Sequence, residues 1–203
     1  LELAFSDMAI IERRLERLKN SLKGAKPQER ELISKEQSLL DKIKAALEAE
    51  VAIRDQVLSE NEPKALENFQ FLTAKPMLIL LNIAEKQIPE SRALEDRLGN
   101  QFRSPHCDVA ALCGKLEMEL TQLGDAEAQE FRSELGVGES GLGRVIRLSQ
   151  GLLGLITFFT TASEEVKAWT IRHNTTVPKA AGKIHTDMER GFIRAEVIGY
   201  DEL

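Results

Sequence analysis

The chain has 203 residues, of which 42% are hydrophobic and 30% charged, and its formal net charge is −6. This composition is that of a globular protein and excludes a disordered or collagen-like chain. The longest apolar run, 77–81, is far shorter than the roughly 20 residues of a membrane helix, so no membrane contact is expected. Glu2, Asp7 and Glu12 lie where a signal peptide would be basic and then apolar, so we expect a cytoplasmic protein.

The charge is unevenly distributed along the chain. Residues 13–35 contain eight basic and three acidic side chains, which gives this segment a charge of +5 and leaves −11 for the remainder. A basic segment on an acidic protein indicates either a solvated helix surface or a contact surface for an acidic partner such as RNA. The residues alone leave both interpretations open.

Two amphipathic helices are predicted at the start of the chain. Apolar residues repeat with a period of about 3.5 residues over 4–22, and a second apolar pattern follows over 32–51. Two such helices joined by a short loop pack as an antiparallel hairpin. The sequence therefore predicts a helical arm whose tip carries the basic segment.

The ends of these two helices have their own signals. Ser6 or Asp7 is expected to cap the start of the first helix, because both side chains accept hydrogen bonds from free backbone N–H groups. Gly24 suits the position just after a helix, and Pro27 suits the first turn of the next one.

A β-α-β pattern follows the arm. The run 77–81 is apolar on both faces and predicts a buried strand of a parallel sheet, followed by a helix over 91–102 and a strand over 108–112. Two strands are fewer than the about five or six of a doubly wound sheet, so we expect further strands before Leu1. Further helices are predicted over 64–72, 116–123, 126–135 and 141–152.

The last part of the chain predicts a small α+β module that is compatible with a β-grasp fold. Strands are expected over 155–160, 165–171 and 192–198, a helix over 178–184, and a turn over 185–190. Trp169 is expected to belong to the core of this module.

Several apparent motifs do not support chemistry. Gly136–Gly141 has the spacing G-x-G-x-x-G but follows a predicted helix rather than a strand, so a turn between helices is expected there. Cys107, Cys113 and His106 are too few for a structural zinc site, and free thiols are expected. His185-Thr186-Asp187 is typical of a polar turn, so no catalytic and no metal-binding residue is predicted in the chain.

Asn82 and Glu85 form the pattern Asn-x-x-Glu directly after the predicted strand 77–81. Ligands of open α/β sheets bind beyond the carboxyl ends of the strands. An Asn amide both donates and accepts hydrogen bonds, and a carboxylate accepts them, so the pair has the groups that bind the edge of a nucleobase. Asn after a strand is also a common turn residue, and the pattern by itself allows both interpretations.

Long stretches of the chain resemble the YchF/Obg-like ATPase family. Near the end of the chain these are Phe158-Phe159-Thr160, Val166-Lys167-Ala168-Trp169-Thr170-Ile171, Pro178-Lys179-Ala180-Ala181-Gly182-Lys183-Ile184-His185-Thr186-Asp187 and Glu189-Arg190-Gly191-Phe192-Ile193-Arg194-Ala195-Glu196-Val197. Earlier ones are Leu72-Thr73-Ala74-Lys75-Pro76 and Asn82-x-x-Glu85. With the position of the helical hairpin, the resemblance spans essentially the whole chain.

The resemblance implies a chain of mixed α/β and α+β class with several domains. It implies an antiparallel coiled-coil arm over 1–62, part of a Ras-like P-loop NTPase sheet over 63–152, and a truncated TGS domain of β-grasp type over 153–203. It also implies an ATPase linked to translation, with the ribosome or RNA as partner of the arm and the TGS domain. The candidate contact residues in the arm are Arg13, Arg14, Arg17, Lys23 and Lys26.

The resemblance further implies that ATP is preferred over GTP, because Asn-x-x-Glu replaces the Asn-Lys-x-Asp of GTPases. The Asp of that motif accepts two hydrogen bonds from guanine, and the longer, displaced Glu85 does not reproduce this pair. A polar edge left unpaired costs about 1–3 kcal/mol, enough to reverse a preference. The implied base-binding residues are Asn82, Ile83 (through its backbone and packing) and Glu85, and in a second loop Cys113, Gly114 and Lys115.

The chain departs from the family where the phosphates bind, because it lacks the motif G-x-x-x-x-G-K-[ST]. The phosphate and Mg²⁺ ligands are therefore expected before Leu1. The intact protein is expected to hydrolyse ATP with Mg²⁺, and this chain alone is not. Two alternatives are a GTP-binding regulatory GTPase and a non-catalytic RNA- or ribosome-binding module.

Overall fold

A computed structural model describes residues 1–161, 165–199 and 202 of the chain. The chain divides into two units. The first comprises Leu1–Leu81 and Arg92–Ala110, and the second comprises Asn82–Ser91 and Ala111–Leu203. No described helix is both long enough and apolar enough to cross a bilayer.

The first unit begins with the predicted helical hairpin, formed by α1 (Glu2–Leu22) and α2 (Pro27–Glu48). The helices are antiparallel, since Arg14 contacts Glu36 and Glu12 contacts Lys44. The apolar residues of both sequence patterns face each other in one core, in which burial of each Leu or Ile contributes about 1.5–3 kcal/mol. The core residues of the hairpin are Ile11, Leu15, Leu18, Leu39, Leu40, Ile43 and Leu47.

The predicted cap at Ser6 or Asp7 is wrong. The helix already begins at Glu2, no side chain caps it, and Ser6 is exposed. Asp7 is fully buried instead, and its carboxylate accepts hydrogen bonds from the backbone N–H groups of Leu72 (2.9 Å) and Thr73 (2.7 Å). Asp7 is a residue type that suits a helix cap, but here it binds a backbone N–H group 65 residues away. Local sequence patterns do not reveal such a distant partner.

The segment after the hairpin completes the first core. It contains a 3₁₀ turn (Ile53–Asp55), the short helix α3 (Glu62–Leu66) and a second 3₁₀ turn (Glu67–Phe69). The predicted helix over 64–72 is thus shorter, because Gln70 adopts a left-handed conformation with φ of 53° and ends it. Ile53, Leu66 and Phe71 pack in the core of the hairpin.

The predicted β-α-β pattern is present as β1 (Met77–Asn82), α4 (Ser91–Phe102) and β2 (Cys107–Leu112). The strands are parallel, because the bonds Met77 N to His106 O and Ile83 N to Leu112 O join residues with the same offset. The predicted burial of β1 is wrong, since Leu80 is 46% exposed, whereas most residues of β2 are buried. Within the described residues the sheet has these two strands, so no third strand covers the outer edge of β1.

The second unit continues with α5 (Gly114–Leu120), α6 (Asp125–Glu134) and α7 (Gly141–Leu152). The glycine-rich stretch Gly136–Gly141 joins α6 to α7, which confirms the prediction of a turn between helices. Gly136 has a φ of 71°, which glycine adopts at little cost, and Ser140 Oγ accepts a hydrogen bond from Gly143 N.

The chain ends in a β-hairpin, β3 (Leu155–Thr160) and β4 (Lys167–Arg172), followed by α8 (Val177–Ile184) and α9 (Thr186–Arg190). The strands are antiparallel, with Phe158 opposite a partly buried Trp169. A short helix stands where a turn was predicted over 185–190. The expected truncation after 201–203 lies largely outside the described residues.

The predicted third strand over 192–198 is wrong. Among the described residues this segment pairs with no strand, and Ile193 and Val197 are 90% and 80% exposed. An alternating apolar pattern favours a strand, but the strand forms only where a neighbour supplies backbone hydrogen bonds and a surface to cover.

Candidate functional site

The predicted base-binding loops meet beyond the ends of β1 and β2. Asn82 is the last residue of β1, and its Oδ1 atom accepts a hydrogen bond of 3.1 Å from the backbone N–H of Gly114, the first residue of α5. Parallel neighbouring strands carry their carboxyl ends to the same edge of a sheet. The order of the elements therefore brings the two loops together, as the sequence predicts.

Ile83 is held by both its backbone and its side chain. Its N–H donates a hydrogen bond of 2.9 Å to Leu112 O, which extends the pairing of β1 and β2 by one residue. The side chain packs against a small core formed by Cys113, Leu116, Leu120 and Ala128. This packing fixes the backbone of the loop next to Asn82.

Glu85 and Lys115 form an ion pair across the two loops. Lys115 Nζ lies 2.9 Å from Glu85 Oε1 and 3.7 Å from a carboxylate oxygen of Glu119. The hydrogen bond from Lys115 to Glu85 raises the pKa of Lys115 above its ordinary value. The ion pair therefore stabilises the fold at pH values below the ordinary pKa of lysine, and this stabilisation is lost as the pH rises through the raised pKa of Lys115. Because both side chains are at least half exposed, the contribution to stability is small.

Gly114 and Cys113 contribute through the backbone. A Cβ atom at Gly114 would lie 3.2 Å from Asn82 Oδ1, so a larger residue would push against the bond between the loops. Cys113 is 6% exposed, and its carbonyl accepts a hydrogen bond from Glu117 N at the start of α5. Its thiol belongs to the core and is not offered to a ligand.

Two polar groups of this arrangement remain available. In the part of the chain that the structure describes, neither Asn82 Nδ2 nor Glu85 Oε2 is engaged in a hydrogen bond. One group donates and the other accepts, and both follow the end of a strand. One donor and one acceptor of these types are complementary to the polar groups at the edge of a nucleobase. We call Asn82, Ile83, Glu85, Cys113, Gly114 and Lys115 the Asn82 site.

The structure divides the five candidate cations of the arm into two sets. Lys23 and Lys26 lie at the turn between α1 and α2, whereas Arg13, Arg14 and Arg17 lie on the side of α1 and line a groove of about 1180 Å³. Arg14 is bound by both carboxylate oxygens of Glu36, at 2.7 and 2.9 Å, and this raises its pKa. The sequence patterns of the two helices did not predict this groove.

A signal for the groove exists in the sequence. Ile10, Arg13, Arg14 and Arg17 are spaced so that they share one face of α1, which brings three arginines onto one stripe beside an apolar residue. The residues opposite them on α2 are not evident without the pairing of the two helices.

Metal-ligating side chains do not cluster among the described residues. No group of three or more His, Cys, Asp or Glu side chains among them is arranged to hold a metal. In particular, Cys107 and Cys113 are both buried as free thiols. The Asn82 site offers hydrogen-bonding groups, and no metal-dependent step is assigned to it.

Comparison with known proteins gives consistent matches. The family model YchF-GTPase_C, described as a protein of unknown function, matches residues 155–203. The chain is 37% identical over 205 residues to the "Ribosome-binding ATPase YchF" of Bacillus subtilis and covers 55% of it. It is 41% identical over 202 residues to the protein of the same name in Haemophilus ducreyi and covers 54% of that protein. These alignments include 100% and 99% of this chain.

The matches extend to eukaryotes and to a solved structure. The chain is 32% identical to "Obg-like ATPase 1" of Caenorhabditis elegans, all of it aligning with 51% of that protein. It superposes on the Schizosaccharomyces pombe YchF GTPase with a TM-score of 0.82 and 31% identity, over 95% of this chain and 52% of the other. The chain thus spans about half the length of the curated relatives it matches. From this agreement along its whole length we identify the chain as belonging to the YchF family.

Proposed function

We propose that this chain is the part of a P-loop ATPase that binds the nucleobase and contacts the ribosome. The bond between Asn82 Oδ1 and Gly114 N carries the first half of the proposal, because it joins the loops after two parallel strands and leaves Asn82 Nδ2 and Glu85 Oε2 for a ligand. The names of the relatives, which call them ribosome-binding ATPases, support the second half.

The proposed function assigns a role to each part of the chain. We take 1–62 as a coiled-coil arm inserted into the nucleotide domain, 63–152 as part of a Ras-like nucleotide domain, and 153–203 as a TGS domain of β-grasp type. The helical hairpin, the parallel strands β1 and β2, and the β-hairpin followed by α8 are consistent with these three parts. A protein that works with ribosomes in this way acts in the cytoplasm.

The first prediction concerns the choice between ATP and GTP by the full-length protein. We expect ATP to bind at least about tenfold more tightly than GTP, and Glu85→Asp to narrow this ratio, because the shorter carboxylate loses its contact with Lys115 and approaches the geometry that accepts two bonds from guanine. Isothermal titration calorimetry with both nucleotides measures the ratio.

Glu90→Asp is the matched control, since Glu90 lies exposed in the same 3₁₀ segment, Glu85–Glu90. Equal affinities of the wild type for ATP and GTP, or an unchanged ratio in Glu85→Asp, would contradict the adenine assignment. Equal affinities would favour a GTP-binding regulatory GTPase, the alternative that agrees with the name of the Schizosaccharomyces pombe YchF GTPase.

The second prediction is that the 203-residue chain alone does not hydrolyse ATP. The sequence lacks the phosphate-binding motif G-x-x-x-x-G-K-[ST], and phosphoryl transfer depends on such a cradle and on Mg²⁺. Release of phosphate in the presence of ATP and Mg²⁺ is expected to equal the buffer blank, whereas the full-length protein turns over. Turnover of ATP by the chain alone would contradict the proposal that it supplies the base-binding residues but not the phosphate-binding ones.

The third prediction concerns the ribosome. If phosphates contact the arm, binding falls steeply with salt, and removal of cations reduces both affinity and the steepness. We expect the simultaneous change of Arg13, Arg14, Arg17, Lys23 and Lys26 to Ala to abolish co-sedimentation of the full-length protein with ribosomes at about 0.15 M salt. Co-sedimentation that persists would show that the arm cations are only a solvated surface.

The test variant for this experiment is Lys23→Ala with Lys26→Ala. Its matched control is Arg92→Ala with Arg97→Ala. Both pairs are exposed on helical segments or at their ends and remove the same charge. Only the first pair is expected to weaken ribosome binding. If the full-length protein binds ribosomes but hydrolyses no nucleotide, it is instead a non-catalytic RNA- or ribosome-binding module.

A further inference from the structure

The groove beside the arm is built by three segments of the first unit. α1 and α2 contribute neighbouring stripes of side chains, and residues 59–69 form a third wall. Within each stripe the side chains are three or four residues apart, so they lie on one face of their helix. On α1 they are Ile10, Arg13, Arg14 and Arg17, and on α2 they are Leu32, Lys35, Glu36, Leu39 and Lys42.

The groove contains apolar surface that the core of the hairpin does not fully cover. Leu32 is 68% exposed although it lines the groove, and Ile10 and Phe69 are only partly buried there. Burial of apolar area away from water is favourable, so this surface favours an occupant with an apolar face. A phosphate backbone gains nothing from contact with an exposed leucine.

The rim of the groove is positively charged. Five cations and two carboxylates line it. Glu36 neutralises Arg14, and Glu62 lies 3.0 Å from Lys42 Nζ. The remaining cations are Arg13, Arg17 and Lys35, of which Lys35 makes an exposed and therefore weak ion pair with Glu31. The rim complements an occupant with carboxylates beside its apolar face.

We propose that this groove binds an amphipathic helix with acidic flanks, supplied by a protein partner. A helix laid between two antiparallel helices places residues i, i+3, i+4 and i+7 on the floor, and its flanking Glu or Asp residues meet Arg13, Arg17 and Lys35. The stripe on α2 from Leu32 to Lys42 is about 15 Å long, which corresponds to about three turns of the bound helix.

The groove proposal rests on the proposed arm contact for its biological setting. It adds a protein helix that binds along the side of the arm. The tip lysines, Lys23 and Lys26, stay available for phosphates. Two further observations disfavour RNA in the groove: Glu36 and Glu62 lie within it, and one face of the Phe69 ring is already stacked on Phe71 with ring centres 5.0 Å apart.

The test selects ligands for the 203-residue chain from a display library of 16-residue peptides on a helical scaffold, without ribosomes or nucleotides. Selected peptides are expected to combine apolar residues at i, i+3, i+4 and i+7 with flanking Glu or Asp. Their affinity is then measured by fluorescence anisotropy for Leu32→Lys, for Arg17→Glu with Lys35→Glu, and for Leu142→Lys. Leu142 is the matched control because it is also 68% exposed.

We expect at least tenfold weaker peptide binding to the first two variants and no change for Leu142→Lys. Binding of a twelve-residue oligouridylate tests the alternative that the groove binds RNA. If it does, Leu32→Lys leaves RNA binding equal or makes it stronger, because the substitution adds a positive charge. The inference is overturned if no acidic amphipathic peptide is enriched, if enriched peptides bind all variants equally, or if oligouridylate alone depends on Arg17 and Lys35. Retained ribosome binding in the tip variant, with peptide binding intact, would contradict only the proposed RNA contact of the tip.

Discussion

Replacing Asp7 with alanine is expected to lower the free energy of unfolding by about 2–4 kcal/mol. The Asp7 carboxylate is fully buried and accepts two short hydrogen bonds from Leu72 N and Thr73 N. Thr73 is itself buried, so its N–H would be left without a partner. Hydrogen bonds to a charged group are among the stronger ones in proteins. Urea unfolding followed by circular dichroism measures the change.

Two further variants make this experiment specific. Asp41→Ala removes an exposed aspartate from the neighbouring helix α2 and is expected to change stability by less than about 0.5 kcal/mol. Asp7→Asn keeps one acceptor oxygen but turns an amide N–H₂ group toward a backbone donor, so an intermediate loss is expected. If Asp7→Ala and Asp41→Ala unfold at the same urea concentration, the buried carboxylate has no structural role.

Replacing Asn82 with alanine in the full-length protein is expected to weaken ATP binding by about 10–100-fold. The substitution removes the acceptor that holds Gly114 N and also the Nδ2 donor assigned to the base. The isolated chain should lose little stability, because this hydrogen bond is exposed and water replaces it. Calorimetry for affinity and thermal unfolding for stability separate the two effects.

Asn82→Asp distinguishes anchoring of the loop from recognition of the base. Aspartate still accepts the hydrogen bond from Gly114 N but has no Nδ2 donor, so we expect a loss of affinity with the loop intact. Asn100→Ala, at an exposed position of α4, is the control and should bind ATP normally. Wild-type affinity in Asn82→Ala would place the nucleotide elsewhere.

Elements whose signals are local could be predicted from the sequence. The apolar periods predict α1 and α2, and the β-α-β pattern predicts β1, α4 and β2 with nearly the observed ends. The proximity of Asn82 to Gly114 follows from the same order of elements, since parallel strands end at one edge. The meeting of the two loops is therefore predictable from the sequence alone, whereas the ligand that they bind stays a prediction.

What the sequence could not predict depends on partners distant along the chain. Asp7 has the character of a helix cap, but its partner lies 65 residues away. The segment 192–198 has the alternation of a strand, but strand formation depends on a neighbour that the pattern does not specify. The groove depends on which face of α2 lies beside Arg13 and Arg17, and this register is set by packing of the two helices.

The buried Asp7 carboxylate also bears on how the arm can move. A helical hairpin attached only through its covalent ends could swing freely, but Asp7 joins the start of α1 to the backbone just before β1. Any tilt of the arm at its base must therefore either carry residues 72–73 along or break both bonds. A displacement of the start of α1 would therefore act directly on residues 72–73, which lie shortly before the start of β1.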